Sequence, residues 1–255
     1  MSQPTPTPVE GPFNGKVAVV TGGASGIGEA VVRELAAGGA QVVIADFNIA
    51  AAEKLAAEVG SATAFKVDVG DPAQVEAMVK FVVETYGALH LAVNNAGIGG
   101  PNLPTADYPI EDWLRVVNID MNSVLYSMKY EIPAMLASGG GSIVNMASIL
   151  GTHGWAGSAA YVASKHALVG MTKTAAIEYA AQGVRINAVG PGFIQTPLIE
   201  TEMDQAARDG LVALHPVGRL GRPDEVSALT CFLLTDRASF ITGSYHLVDG
   251  GFSAR

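Results

Sequence analysis

Short apolar runs rich in Val, Ile and Ala alternate along this chain with longer stretches in which apolar residues recur at helical spacing. The first pattern predicts strands buried on both faces and the second amphipathic helices, so their alternation predicts βαβ units feeding a parallel sheet. Seven strands are read: Lys16 to Thr21, Gln41 to Asp46, Thr63 to Val69, Leu89 to Asn94, Ser142 to Ala147, Arg185 to Val189 and Tyr245 to Val248. Helices are read over about Gly28 to Ala37, Ala50 to Val59, Pro72 to Tyr86, Ile110 to Leu136, Ala159 to Ala181 and Pro223 to Leu234. Gly38-Gly39 and Gly139-Gly140-Gly141 stop two of them, as glycine beyond a helix end commonly does.

No stretch is rich enough in Pro, Ser or charge to separate domains, and 255 residues suffice for one large α/β domain. The expected fold is therefore a single-domain Rossmann fold, a doubly wound seven-stranded parallel sheet with helices on both faces, over residues 13–255. Residues 1–12, with Pro4, Pro6, Pro8 and Pro12 and no apolar signal-peptide core, are expected to form a flexible tail. The rhythm breaks at Thr196 to Pro216, which carries Leu198, Ile199, Met203, Leu211 and Leu214 among acids. An insertion there lies over the carboxyl ends of the strands, so a substrate lid is expected over about 196–216.

Composition narrows the classes. Hydrophobic residues are 49% and charged residues 15%, which excludes a disordered chain. The formal charge of −9 and the lack of any basic run argue against a nucleic-acid surface. Every apolar run is cut by glycine or charge short of a membrane span, and a cytoplasmic protein with no membrane contact is expected. Cys231 is the single cysteine; it lies in the apolar helical stretch Leu229 to Leu234 and reads as an inert packing thiol. No metal-ligand set is read.

The first strand runs into Thr21-Gly-Gly-Ala-Ser-Gly-Ile-Gly28 and then a helix. Gly22, Gly26 and Gly28 allow a tight turn, backbone approach to a pyrophosphate and close helix packing, with Ser25 and Ile27 at the helix N-terminus facing the anion. The spacing is not the general G-x-G-x-x-G, and a bare glycine loop fits many βα turns; its place in a βαβ unit gives it weight. Asp46 ends the second strand, where a carboxylate would accept from adenosine ribose hydroxyls and repel a 2′-phosphate. Phe47 follows, and neither it nor the glycine loop supplies a cation for such a phosphate, which favours NAD over NADP. Asp68 and Val69 end the third strand and Asn94-Asn-Ala96-Gly97 the fourth, on the same edge. Singly, these are ordinary turn chemistry, and Asp46 a solvated carboxylate.

Tyr161-Val-Ala-Ser-Lys165 sits early in a helix, with phenol and ammonium on one face at i, i+4. Such pairs are most often surface pairs. Weight comes from Ser148 at the end of the fifth strand, since a strand end and the next helix start both point into the ligand crevice. Reducing a ketone delivers hydride to carbon and needs a proton on oxygen, so an acid must stand beside the carbonyl. A free phenol holds its proton too tightly to act as base in the reverse direction. A cation fixed ~5 Å away at an effective dielectric of ~20 stabilises the phenolate by ~3 kcal/mol, and Lys165 can supply it. A Ser hydroxyl would bond the substrate oxygen as an oxyanion-site donor.

Together, the glycine loop, Asn-Asn-Ala-Gly, Ser148 and Tyr-x-x-x-Lys resemble the short-chain dehydrogenases/reductases, a match running from Lys16 to Gly251. Asn187 to Pro197, Pro216 to Val226 and the ending Asp249-Gly-Gly251 are similar to that family's later motifs. The resemblance implies a catalytic Ser148, Tyr161 and Lys165, with Lys165 also on the nicotinamide ribose. It also implies Pro191, Gly192, Ile194 and Thr196 along the nicotinamide and a homotetramer closed partly by the C-terminal end. One departure stands out. Where the family places a catalytic Asn, counted from Trp113, this chain has Asp120. The family's Asn acts largely through its main-chain carbonyl, so the Asp120 side chain is expected to turn to solvent or bond Asn118 and Asn122; the alternative is that it pairs with Lys165.

The substrate is expected to be an apolar secondary alcohol or ketone, a cyclic one included, because Ile149, Leu150, Trp155, Phe193, Leu198, Ile199 and Met203 fall in loops that should roof the site. His153 is as consistent with a plain loop residue as with a substrate contact. Two other functions fit less well: a 3-oxoacyl-thioester reductase, which would want NADPH and a basic docking surface, and a non-catalytic NAD-binding sensor on the same fold.

Overall fold

The computed structural model describes residues 11–196 and 204–254. Most of the expected tail, and Leu198, Ile199 and Met203 of the expected lid, lie outside the described residues. Within them the chain runs β1 (Val17–Thr21), α1 (Gly26–Ala37), β2 (Gln41–Asp46), α2 (Ile49–Val59), β3 (Ala62–Lys66), α3 (Pro72–Tyr86) and β4 (Leu91–Asn94). It continues through α4 (Ile110–Val117), α5 (Ser123–Ala137), β5 (Gly141–Met146), α6 (Ala159–Tyr179) and β6 (Val184–Pro191). It ends with α7 (Gln205–Ala213), α8 (Pro223–Leu234) and β7 (Tyr245–Val248).

The seven strands form one parallel sheet in the order β3-β2-β1-β4-β5-β6-β7. Successive strand residues point to opposite faces, and the buried side chains divide accordingly. Val17, Val19, Val43 and Ala45 join α3, α5 and α6 on one face; Ala18, Val20, Val42 and Ile44 join α1, α2 and α8 on the other. Both faces being covered is why the strands read as unbroken apolar runs. The chain moves outward through β2 and β3 and then returns to place β4 beside β1. That reversal opens a crevice at the carboxyl ends of β1 and β4, the place where open α/β sheets bind ligands.

Two expectations are corrected, and the insertion gains a helix. The third strand stops at Lys66 rather than Val69, because its one neighbour, β2, ends at Asp46, the register partner of Lys66. The helix read over Ile110 to Leu136 is broken by a π-helical turn at Asn118–Asn122, in which Ser123 Oγ donates to the Ile119 carbonyl. The insertion contains α7, capped by the Asp204 carboxylate accepting from the Ala207 N–H at 2.8 Å. Cys231 is buried on α8 as expected, and burial pushes its thiol far above the ordinary range. No helix among the described residues is long and apolar enough to cross a membrane.

Candidate active site

The glycine turn between β1 and α1 is closed by the segment after β4. Asn95 donates its amide to the carbonyls of Thr21 (3.1 Å) and Gly22 (3.0 Å), and Thr21 Oγ1 accepts from the N–H groups of Asn95 and Ala96. Gly22 and Gly26 have φ of +61° and +55°, which favours glycine there. A Cβ on Gly28 would run into the Gly22 carbonyl and the Asn95 amide. The result is a bare backbone cradle ahead of the α1 N-terminus, the shape a pyrophosphate requires. Thr196 lies against Gly26.

Parallel pairing of β2 with β1 brings Asp46 beside this turn. Its carboxylate accepts from the Ala24 N–H at 3.0 Å and the Asn48 N–H at 2.9 Å. Phe47 is exposed, with Lys66 Nζ 6.0 Å from its ring centre. Asp68 caps its own turn by accepting from the Gly70 N–H, and Val69 is buried beside it. Asn94 is placed otherwise: it is 1% exposed, and its amide bonds Glu131 and Asn145 beneath the sheet edge. Asn95, read from the sequence only as part of the turn after the fourth strand, lines the cleft instead.

That cleft, about 360 Å³, gathers the other expected residues. Ser148, Tyr161 and Lys165 share it with Ile27, Gly97, Pro191, Gly192, Ile194 and Thr196, under Leu150, Trp155 and Phe193. The Trp155 and Phe193 rings lie 5.3 Å apart, and Phe193 meets Phe252 of the C-terminal segment at 6.1 Å. Ile98, Gly99 and Gly100 also line the cleft; no charge or turn signal marked them. His153 sits on its own turn, bonded to the Ile149 carbonyl at 3.1 Å, and does not line the cleft.

Each catalytic candidate has a definite setting. Ser148 Oγ accepts from the Leu150 N–H at 3.2 Å, which leaves its own proton to donate. Tyr161 is half-buried at the start of α6, and Lys165, one turn on, is 3% exposed with Nζ 5.2 Å from the Tyr161 ring centre. The ammonium donates to the Met146 carbonyl at 3.2 Å. Burial would lower the Lys165 pKa, but Asp120 and Tyr161 outweigh it and hold it above the usual lysine value.

Asp120 overturns the expectation that its side chain faces solvent or its Asn neighbours. The π-helical turn swings it inward until it is 0% exposed. Oδ1 accepts from the Ile98 N–H at 2.8 Å, and Oδ2 stands 3.5 Å from Lys165 Nζ. Asn118 and Asn122 bond each other instead, with Asn118 also donating to the Gly70 carbonyl.

A glycine cradle at the switch point, with a Ser, Tyr and Lys converging beside it, defines a nicotinamide-dependent oxidoreductase class. Comparison with known proteins agrees. A family model described as enoyl-(acyl carrier protein) reductase matches residues 22–253. The cyclohexanol dehydrogenase of Acinetobacter sp. is 50% identical over 247 residues, covering 95% of this chain and 97% of that protein. The 2,5-dichloro-2,5-cyclohexadiene-1,4-diol dehydrogenase of Sphingobium indicum is 42% identical over 95% of this chain and 98% of its own. The crystal structure of levodione reductase superposes with a TM-score of 0.92 at 35% identity, over 95% of this chain and 99% of that one. The chain belongs to the short-chain dehydrogenase/reductase family and is an alcohol dehydrogenase/ketone reductase within it.

Proposed function

We propose that this enzyme interconverts an apolar alicyclic secondary alcohol and its ketone, with NAD as hydride carrier and Tyr161 as the group that moves the proton. The observation that carries it is the buried Lys165 ammonium beside the Tyr161 ring in the cleft that also holds Ser148. In oxidation, Ser148 donates to the alcohol oxygen while Tyr161 takes its proton, and Lys165 stabilises the phenolate that receives it. Two of the three Lys165 N–H groups face Met146 and Asp120, leaving the third for a ribose hydroxyl of the cofactor. When bound, the nicotinamide supplies the hydride acceptor.

The cradle between Gly22 and Gly28 fits a pyrophosphate, and Asp46 beside it fits an unphosphorylated adenosine ribose. The roof of Leu150, Trp155 and Phe193 suits a hydrocarbon ring, and the two dehydrogenases above are named for six-membered rings. An acidic carrier protein would be repelled by a chain of formal charge −9, which disfavours a thioester substrate. The described part of the insertion, led by α7, serves in the same picture as a substrate lid on a cytoplasmic enzyme. Exposed Ile110, Leu114, Leu125 and Ile177 are the kind of surface that a homotetramer covers.

The experiment is a panel of ring alcohols, linear secondary alcohols and a 3-hydroxyacyl thioester, each with NAD and with NADP, read by reduced-nicotinamide absorbance. Ring alcohols with NAD should give the highest kcat/KM. Faster turnover of the thioester with NADP would overturn the proposal.

A further inference from the structure

The charge of Asp120 has no part in the proton transfer described above, yet it sits in the most confined position beside it. One carboxylate oxygen is tied to the Ile98 N–H, and the other has no hydrogen-bond partner among the described residues, only the Lys165 ammonium at 3.5 Å. Gly97 leaves both groups just enough room: a Cβ there would stand 3.3 Å from Asp120 Oδ2 and 3.4 Å from Lys165 Nζ. With no exposure, the carboxylate has no solvent to turn to. Lys165 thus has two neighbours, an anion on the π-helical turn at 3.5 Å and the Tyr161 ring on its own helix at 5.2 Å.

We propose that Asp120 is a positioning residue that holds the Lys165 ammonium by charge and withholds part of that charge from Tyr161, so setting the pH range in which the enzyme removes the alcohol proton. It rests on Tyr161 being the proton-transferring group. A lone cation stabilises the neighbouring phenolate fully; a cation paired with a buried anion does so less, because the two fields oppose at the phenol oxygen. Neutralising Asp120 while keeping its shape therefore makes the active base easier to deprotonate. Burial lifts the Asp120 carboxyl, and the Lys165 ammonium opposes it, as expected of a desolvated ion pair.

Other titratable groups pack around this pair. Tyr108, ahead of α4, is buried, its hydroxyl pushed up by burial and by Asp112, with a further contribution from Asp120. Asp112 is paired with Arg115 on the exposed side of α4. Tyr245 on β7 is raised to about 12 by burial. His166 on α6 and His153 after β5 are bonded to their own backbone, and Glu131 on α5 is bonded to Asn94. Among the described residues none of these groups is hydrogen-bonded to or ion-paired with Asp120 or Lys165, so the ion pair is the local lever.

The test compares the wild-type enzyme with Asp120→Asn, which can still accept from the Ile98 N–H but carries no charge, and with Asp120→Ala, which loses both. The readout is the pH profile of kcat/KM for cyclohexanol oxidation at saturating NAD. Asp120→Asn should move the apparent pKa of the rising limb down by about one unit, with the falling limb of ketone reduction moving the same way. Asp120→Ala should shift in the same direction and also melt at a lower temperature. Superimposable profiles, or a shift upward in either variant, would overturn the proposal. Tyr161→Phe separates the two ideas: if it keeps turnover, the Tyr161 assignment fails; if it is inactive and Asp120→Asn is unshifted, only this inference fails.

Discussion

The phenol of Tyr245, on the last strand, donates its proton to the main-chain carbonyl of Ser148, 97 residues earlier. Two glycines make the path: a Cβ on Gly190 would collide with the phenol oxygen, and one on Gly151 would touch it at 3.5 Å. The turn that presents Ser148 to the cleft is thereby tied to the sheet edge, just before the C-terminal segment that packs on Phe193.

Tyr245→Phe removes that donor and leaves the Ser148 carbonyl without it, at a cost on the order of 1–3 kcal/mol. The expected outcome is a fall in kcat of about tenfold with NAD affinity unchanged, because the glycine cradle lies elsewhere. Steady-state kinetics with a parallel NAD titration checks this; an unaltered kcat would show that the Ser148 turn holds without the tether.

Glu131 predicts a pH-dependent stability. It is fully buried on α5 against Asn94, and burial lifts its carboxyl from 4.5 to about 7, with the Asn94 hydrogen bond opposing. Glu131 Oε1 and Asn94 Oδ1 both lack partners among the described residues, and a proton on the carboxyl supplies one donor to a pair of acceptors. The folded state then holds more protons than the unfolded one between about pH 4.5 and 7, so this contribution is fully present below that window and lost as pH rises through it. The loss is on the order of 3 kcal/mol. Glu131→Gln should flatten the fall in denaturant-derived stability between pH 5 and 8; an equally steep fall in the variant would place its source elsewhere.

The strands were legible because burial on both faces leaves contiguous apolar runs, as at Val17 to Thr21, where all five residues are buried. The Ser148, Tyr161 and Lys165 cluster was legible because strand ends and helix starts share one edge of the sheet. The π-helical turn was not: Asn118-Ile-Asp-Met-Asn122 keeps a helical composition, and a single wider turn leaves no mark on a periodicity spanning α4 and α5. With the turn went the direction of Asp120. The Tyr245 tether was invisible for another reason, since the bond joins elements far apart in sequence and Tyr in a strand is ordinary.

The cofactor prediction turns on Asp46. NAD should bind at least about tenfold more tightly than NADP, a difference of ~1.4 kcal/mol. Asp46→Ala with Phe47→Arg should narrow or reverse it by replacing a repelling carboxylate with a cation for the 2′-phosphate. Calorimetric titration of both cofactors decides; equal affinities in the wild-type enzyme would remove Asp46 as the selector.

The most direct test of the central claim is the turnover of Tyr161→Phe, measured with NAD affinity in the same preparation. If Tyr161 moves the proton, kcat for secondary-alcohol oxidation falls by about 10²–10⁴-fold, while NAD binds as before because the cradle and Lys165 are intact. A variant that retains kcat within tenfold of the wild type would contradict the claim, and the proton would have to travel through another group in the cleft.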